Sequence, residues 1–308
     1  MNLRHRALAA TVAAIWGVNF VAIDRSLEHF PPMFLVALRF ALLAIPTIVL
    51  VPWPRVPLRW LIGYGTGFGI LQFAFLYWGL NSGMPAGLAS LVLQASAPFT
   101  VVLGATFLRE RIGRRQVLGI AIAVAGLAVV GSHRAQIASL LPFFLTLCGA
   151  FGWAIGNICS RQARPQNPLH LTLWMSVVPP VPMFVLAYAI EGPERIGDSL
   201  ATALTVDALP ALVGLAYTVL VATAIGSGLW TWLMAHHPAG VVAPFSLLVP
   251  VAGMSAAAIL LHESISVYEV IGGVIVVAGV LLASINRRAR TRVADDERGR
   301  RYDRAVAS

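Results

Sequence analysis

Long apolar runs separated by short polar clusters dominate this chain. A helix that crosses a bilayer needs about 20 mostly apolar residues. The pattern predicts ten such spans, with breaks at clusters of turn-forming and charged residues. The predicted spans cover residues 7–23, 32–52, 58–80, 84–107, 115–132, 137–158, 169–190, 208–233, 239–261 and 267–286. We therefore predict an all-α polytopic membrane protein.

The second half of the chain repeats the first. The segment PAGLASLVLQASAPFTVVLGATFLRERIGRRQVLGIAIAVAG, from Pro85, recurs from Pro238 as PAGVVAPFSLLVPVAGMSAAAILLHESISVYEVIGGVIVVAG. A constant offset of 153 links the two copies and pairs Glu110 with Glu263. Small residues are dense at the ends of both copies, and we interpret them as a close helix contact between the repeats. Many transporters pack two related halves around a central substrate site.

Counting spans predicts how the two copies are oriented. Ten spans leave five per copy, and an odd number forces the second copy to enter the membrane from the opposite side. The loop RERIGRR after the fourth span is basic, while its counterpart HESISVY lacks arginine. We predict a first five-span repeat over residues 1–134 and a second, inverted repeat over 135–290. Residues 291–308 are predicted to form a disordered cytoplasmic tail.

Composition narrows the class of protein. The 308 residues are 58% hydrophobic and 11% charged, and all 22 cationic residues are arginine. Without lysine the chain has neither a P-loop lysine nor a Schiff-base amine, which argues against an ATP-driven pump. The net charge of +9 does not indicate nucleic-acid binding, because the arginines lie at span ends and in the tail. Their bias toward the face that carries the N-terminus predicts that both termini are cytoplasmic.

Candidate chemistry inside the spans is sparse. All seven histidines fall in loops or at span ends, and no pair of carboxylates lies at mid-membrane. The HESIS motif lacks the second histidine of a zinc-binding HExxH helix. We therefore predict no enzyme activity, no catalytic residue, no metal site and no cofactor.

Four amides inside the spans are candidate substrate-binding residues. They must face protein or a wet cavity, because burying an unpaired amide costs on the order of 2–7 kcal/mol. Hydrogen bonding between helices is the alternative role for each of them. The amides are Asn19, Gln72, Gln94 and Asn157.

Aromatic residues and one cation complete the candidate site. Trp16 and Trp153 are repeat mates that could wall a pocket or simply pack, and Tyr77 and Trp230 could contact substrate or belong to the interfacial aromatic belt. Arg39 lies about 10 Å into its span by helix rise. It either contacts an anionic group of a substrate, such as a carboxylate, or extends to the headgroups.

Prolines at matched positions suggest hinges. A proline inside a helix removes one hydrogen bond and bends the helix. Such bends suit rocking of one half against the other, although helix packing alone could also require them. The four predicted hinges are Pro46, Pro98, Pro182 and Pro250.

The chain resembles the EamA type of the drug/metabolite transporter superfamily. The resemblance rests on the doubled five-span unit, the opening WGVNFVAI, the LRF around Arg39 and the ER at Glu110. Further segments, GMPAGLASLVLQASAPFT and VAPFSLLVPVAGMSAAAILLHE, resemble the O-acetylserine/cysteine exporter branch. The likeness covers residues 10–285.

The resemblance implies a bacterial inner-membrane exporter of small amino acids or their derivatives. We expect secondary-active export by alternating access. The expected partners are a small solute and the lipid bilayer, and we expect no nucleic-acid binding. A broad-specificity exporter of drugs or aromatic metabolites is the alternative within transport. A membrane scaffold or receptor is the alternative outside it.

Overall fold

A computed structural model describes residues 1–284, apart from the side chains of Ile137, Ala239, Gly240 and Ser284. The predicted tail, residues 291–308, lies outside the described residues. Ten long helical segments follow one another, with a short surface helix, Pro193–Ala201, between the seventh and the eighth. The segments are α1 (Leu3–Leu27), α2 (Pro32–Leu50), α3 (Leu58–Tyr64, Gly65–Gln72 and Phe73–Asn81), α4 (Ala86–Phe107), α5 (Arg114–Ile137), α6 (Leu141–Ala163), α7 (Pro168–Ile190), α8 (Val206–His236), α9 (Ala239–Val242 and Ala243–Leu260) and α10 (Val267–Ser284).

The described part of the chain has the helices of a multi-pass membrane protein. Eight segments there, α1, α2 and α4 to α9, are long and apolar enough to cross a bilayer. The apolar helix α10 is shorter, and α3 is a continuous helical run outside that set. The all-helical membrane class predicted from the sequence is confirmed.

One predicted helix boundary is wrong. The fifth span is predicted to end at residue 132, but α5 continues to Ile137. The chain turns at residues 138–140, and α6 begins at Leu141 instead of 137. Proline is favoured in the first turn of a helix, because its missing N–H has no partner there, and Pro142 occupies that place in α6. The boundary predicted between residues 134 and 135 therefore falls within a helix.

Irregular helical turns recur at matched places in the two halves. The π-helical segments Gly65–Gln72 in α3 and Tyr217–Ile225 in α8 correspond under the repeat offset. The 3-10 turn Leu93–Ala95 in α4 likewise corresponds to the end of Ala243–Leu248 in α9. π-Helical turns are rare and often occur at functional sites. The repeat thus preserves local backbone distortions as well as sequence.

Glycines bring α5 and α10 into backbone contact. A Cβ atom at Gly119 would lie 2.6 Å from the carbonyl oxygen of Gly279, and one at Gly126 would lie 2.8 Å from that of Gly272. Residue numbers rise along α5 as they fall along α10 at these contacts, so the two helices are antiparallel. The repeat offset maps Gly119 onto Gly272 and Gly126 onto Gly279, so each of these two glycine contacts is the repeat equivalent of the other. The small residues therefore form the predicted seam.

The helix ends form two faces. We call the end of the bundle where α1 begins the N-terminal face, and the end where α1 finishes the opposite face. On the N-terminal face, His5 Nδ1 lies 2.7 Å from His237 Nε2. On the opposite face, Glu191 after α7 accepts hydrogen bonds from the N–H groups of Met33 (2.7 Å) and Phe34 (3.0 Å) at the start of α2.

Candidate functional site

Arg39 in α2 is buried at the centre of the candidate site. Its side chain is 4% exposed and does not extend to the bundle surface. Nη1 donates a 3.0 Å hydrogen bond to the Tyr77 hydroxyl on α3, and Nη2 donates a 3.1 Å bond to Thr223 Oγ1 on α8. The guanidinium carbon lies 3.9 Å from the centre of the Phe73 ring. The Phe40 ring lies 5.3 Å away, so three helices and two aromatic rings surround the cation.

Within residues 1–284, the positive charge of Arg39 has no carboxylate partner. Both ion pairs within residues 1–284 involve other residues, and Nε of Arg39 has no hydrogen-bond partner. Cation–π attraction is worth about 2 kcal/mol when the pair is desolvated. The penalty for burying an ion is several kcal/mol, so the rings of Phe73 and Phe40 and two neutral hydroxyls compensate it only in part. An anionic group that reached Arg39 would complete the compensation.

Threonines of the π-helical segment in α8 connect Arg39 to Asn19. Thr223 Oγ1, which accepts from Arg39, donates to the carbonyl of Thr218 at 2.8 Å, five residues earlier. Thr218 Oγ1 in turn donates to Asn19 Oδ1 on α1 at 2.8 Å. The wider π-helical turn places both hydroxyls on the same side of α8. Sequence reasoning missed both threonines, because a lone hydroxyl in an apolar span carries no distinctive signal.

Gln72 and Gln94 differ in burial. Gln72 ends the π-helical segment of α3 and is 4% exposed. Its Oε1 has no hydrogen-bond partner in the part of the chain that the structure describes. Gln94, in the 3-10 turn of α4, is half-buried. Gln72 therefore adds a second unsatisfied polar atom to the buried part of the bundle.

The predicted aromatic residues separate into two groups. The rings of Trp16 and Trp230 lie 5.1 Å apart, and Trp16 Nε1 donates to the carbonyl of Ala222 at 3.0 Å. Trp153 on α6 instead packs 6.0 Å from Phe68. On the same helix, Asn157 Nδ2 donates to Thr100 Oγ1 of α4 at 3.2 Å. The residues near Arg39 on α1, α2, α3 and α8 thus form one cluster. Trp153 adjoins this cluster because Phe68 lies 5.6 Å from Phe73, whereas Asn157 contacts α4.

The candidate hinge prolines occupy different helical positions. Pro46 lies inside α2. Pro182 follows the turn at residues 176–179 that divides α7. Pro98 and Pro250 each fall in the first turn of a helix that follows a 3-10 segment. Pro182, Pro98 and Pro250 therefore adjoin breaks in the regular helix, where the helix axis can most easily bend.

Two surface cavities flank the α1–α2 turn and the short helix Pro193–Ala201 at the opposite face, and neither is lined by Glu263. The larger, about 340 Å³, is lined by residues such as Glu28, His29, Arg195 and Asp198. The smaller, about 130 Å³, lies beside Trp78 and Glu191. Burial raises the pKa of the Glu191 carboxyl, while its backbone hydrogen bonds and the charge of Arg195 act in the other direction. Neither cavity is lined by the predicted substrate-binding residues.

A repeated helical bundle with isolated polar side chains inside it defines a multi-pass membrane transporter. Comparison with known proteins gives the family: the chain belongs to the EamA-like transporter family, whose model matches residues 6–132 and 140–285. The double match fits two related halves. The protein is a transporter of small metabolites and not an enzyme, which confirms those two predictions.

Similar proteins include named efflux pumps. The probable amino-acid metabolite efflux pumps of Salmonella typhimurium and Escherichia coli are each 40% identical to this chain, over 94% and 95% of it and 98% and 99% of their own lengths. A probable terminal-alkyne amino-acid exporter of Streptantibioticus cattleyicolor is 28% identical over 92% of this chain and 93% of its own.

A solved crystal structure shares the fold. It superposes with a TM-score of 0.58 at 19% sequence identity, covering 92% of this chain and 98% of that chain. At this identity the likeness concerns the fold alone.

Proposed function

We propose that the protein exports small amino acids or their derivatives, of the cysteine or O-acetylserine kind, across the bacterial inner membrane. The two efflux pumps at 40% identity support amino-acid metabolites as the solute class. The observation that carries the proposal is the buried, incompletely compensated charge of Arg39. A carboxylate is the group that every amino acid offers, and it pairs with guanidinium through two parallel hydrogen bonds.

The proposed architecture is ten spans in two inverted five-helix repeats, divided near residues 134–140. The self-matched glycine seam of α5 and α10 and the paired π-helical segments support it. Both termini are cytoplasmic in this proposal, since the arginine-rich loops share the N-terminal face. Export follows from alternating access, in which the halves rock about the substrate.

The substrate contacts combine the Arg39 cluster with residues from α4 and α6. The carboxylate replaces the Tyr77 or Thr223 hydroxyl on Arg39, and the amides bind the polar remainder of the solute. Trp16, Trp230 and Trp153 form the apolar walls. The full proposed set is Trp16, Asn19, Arg39, Gln72, Tyr77, Gln94, Trp153, Asn157 and Trp230, with Pro46, Pro98, Pro182 and Pro250 as hinges.

Export from proteoliposomes tests the proposal. Vesicles loaded with labelled L-cysteine, O-acetyl-L-serine or cysteamine are compared with and without a proton gradient. Cysteamine is cysteine without its carboxylate. A site built around a charged group discriminates strongly against an analogue that lacks it, so we expect export of the two amino acids and little export of cysteamine. Equal export of cysteamine, or none of the three, would contradict the proposal.

A broad exporter of aromatic metabolites is the second candidate. The Trp16–Trp230 pair favours it, because two indole rings in contact present a continuous aromatic surface on which a flat apolar solute can pack. Adding an aromatic amine to the same assay separates the two candidates. Its export at the rate of cysteine would favour the broader substrate range.

A further inference from the structure

Each half carries a Pro-Ala-Gly at the start of one helix and a glutamate just after the end of that helix. The glutamates are Glu110 after α4 and Glu263 after α9. The backbone is alike at both: the preceding residues, Arg109 and His262, have φ values of 53° and 56°. Each glutamate N–H also donates a 3.3 Å bond to the carbonyl six residues earlier. Any difference between them therefore lies in what the carboxylates contact.

Glu263 joins the two halves on the opposite face. Its Oε1 accepts from the N–H of Ala86 at 2.7 Å, and its Oε2 accepts from the N–H of Gly87 at 3.1 Å. These N–H groups belong to the first turn of α4, where intrahelical acceptors are missing. The negative charge also suits the positive end of the helix dipole. The carboxylate of Asp24, near the end of α1, lies close enough to interact with that of Glu263.

Glu110 has a different environment on the N-terminal face. It pairs with Arg161 at 3.0 Å, and both side chains are about half exposed. The start of α9 is also more open than the start of α4. Leu88 and Ala95 in α4 are 2% and 1% exposed, whereas their repeat mates Val241 and Leu248 in α9 are 44% and 41% exposed. Since mates occupy equivalent places in the two halves, the difference shows that these positions are packed more closely in α4 than in α9.

We infer that the two glutamates are alternating latches that set which face of the transporter is closed. In this structure Glu263 holds the opposite face shut by binding the first turn of α4. In the other conformation Glu263 releases α4, and Glu110 leaves Arg161 and binds the N–H groups of Ala239 and Gly240 at the start of α9. Both glutamates act by holding the start of a helix in place. The inference rests on the alternating access of the proposed function and goes beyond it by naming the contacts that exchange.

Thiol labelling tests the latches without any substrate. In a background with Cys148 and Cys159 replaced by alanine, the reporters are the repeat mates Ser90→Cys and Ala243→Cys. Ser90 lies buried behind the Glu263 contact, while Ala243 is exposed. A water-soluble methanethiosulfonate reagent measures how fast each thiol reacts. Because the readout needs no solute, it stands apart from the export assay.

Removal of each carboxylate has an opposite expected effect. A hydrogen bond to a charged group is strong enough that its loss shifts an equilibrium about tenfold or more. Glu263→Gln should therefore speed labelling of Ser90→Cys about tenfold and slow labelling of Ala243→Cys. Glu110→Gln should slow labelling of Ser90→Cys and leave Ala243→Cys at least as reactive as before.

A second variant and a folding control keep the outcome clear. Gly87→Ala keeps every charge, but its Cβ would lie 3.2 Å from Glu263 Oε2 and 3.0 Å from Met254 Cα. It should reproduce the labelling pattern of Glu263→Gln. Monodisperse elution and a normal melting temperature establish that each variant folds. Changes in the same direction for Glu110→Gln and Glu263→Gln, or no change in folded Glu263→Gln and Gly87→Ala, would overturn the inference.

Discussion

Replacing Arg39 with methionine should abolish export while leaving the fold at least nearly as stable. Methionine has a similar length and no charge, so it removes the cation without opening a large cavity. Replacing buried ionic groups by apolar ones is often neutral or stabilising by about 1–4 kcal/mol. Against this, Tyr77 loses the hydrogen-bond partner of its buried hydroxyl, which costs about 1–3 kcal/mol. Thr223 keeps its bond to the Thr218 carbonyl.

The two contributions nearly cancel, so the apparent melting temperature should change little. The double variant Arg39→Met/Tyr77→Phe removes the orphaned hydroxyl and should melt above Arg39→Met. Melting in detergent and export of L-cysteine from proteoliposomes are measured on the same preparations. Tyr77→Phe alone keeps the charge of Arg39 and removes only one hydroxyl, so it should lose much less export than Arg39→Met.

Two results would refute this reasoning about Arg39. One is export at the wild-type rate by folded Arg39→Met. The other is a destabilisation of about 3–5 kcal/mol that Tyr77→Phe does not relieve, the size expected when a needed partner is removed from a buried ionic network. The second result would make Arg39 a structural residue.

Three further predictions follow from other parts of the bundle. Gly126→Ala should destabilise the protein by about 1–3 kcal/mol, because its Cβ overpacks against α10. The control Gly228→Ala, whose Cβ meets open space, should be neutral or stabilising by about 1 kcal/mol. Equal melting temperatures of the two variants would contradict the predicted overpacking. Gln94→Ala should slow export more than Leu247→Ala, its repeat mate, and the reverse order would remove Gln94 from the site. The repeat mates Ile112 and Ile265 are 37% and 38% exposed. In intact cells an impermeant maleimide should label Ile265→Cys and not Ile112→Cys, and labelling of Ile112→Cys would reverse the proposed topology.

Predictions from sequence were most successful where a signal repeats over many residues. An apolar run of about 20 residues has few alternatives to a membrane helix, and the described helices follow the predicted runs closely. The end of α5 was misplaced because polar residues such as His133 and Arg134 can extend a helix beyond its apolar part. The irregular turns of α3 and α8 could not be predicted, because a π-helical turn depends on packing against neighbouring helices.

In the candidate site, too, the sequence identified a residue whose contacts only the tertiary structure revealed. The sequence alone marked Arg39 as the cation inside a span, but left open whether it reached the headgroups or a substrate. Only the packing of α2 against α3 and α8 decided that it is buried on Tyr77, Thr223 and the Phe73 ring.

The sequence by itself determined the membrane class, the doubled architecture and the position of nearly every helix. These follow from hydrophobicity and residue spacing, which act along the chain. The tertiary structure alone decided that Glu263 binds the start of α4 while Glu110 pairs with Arg161. The two glutamates are equivalent in the repeat, and the partner of each depends on how the helices pack in three dimensions, which residue spacing along the chain does not reveal.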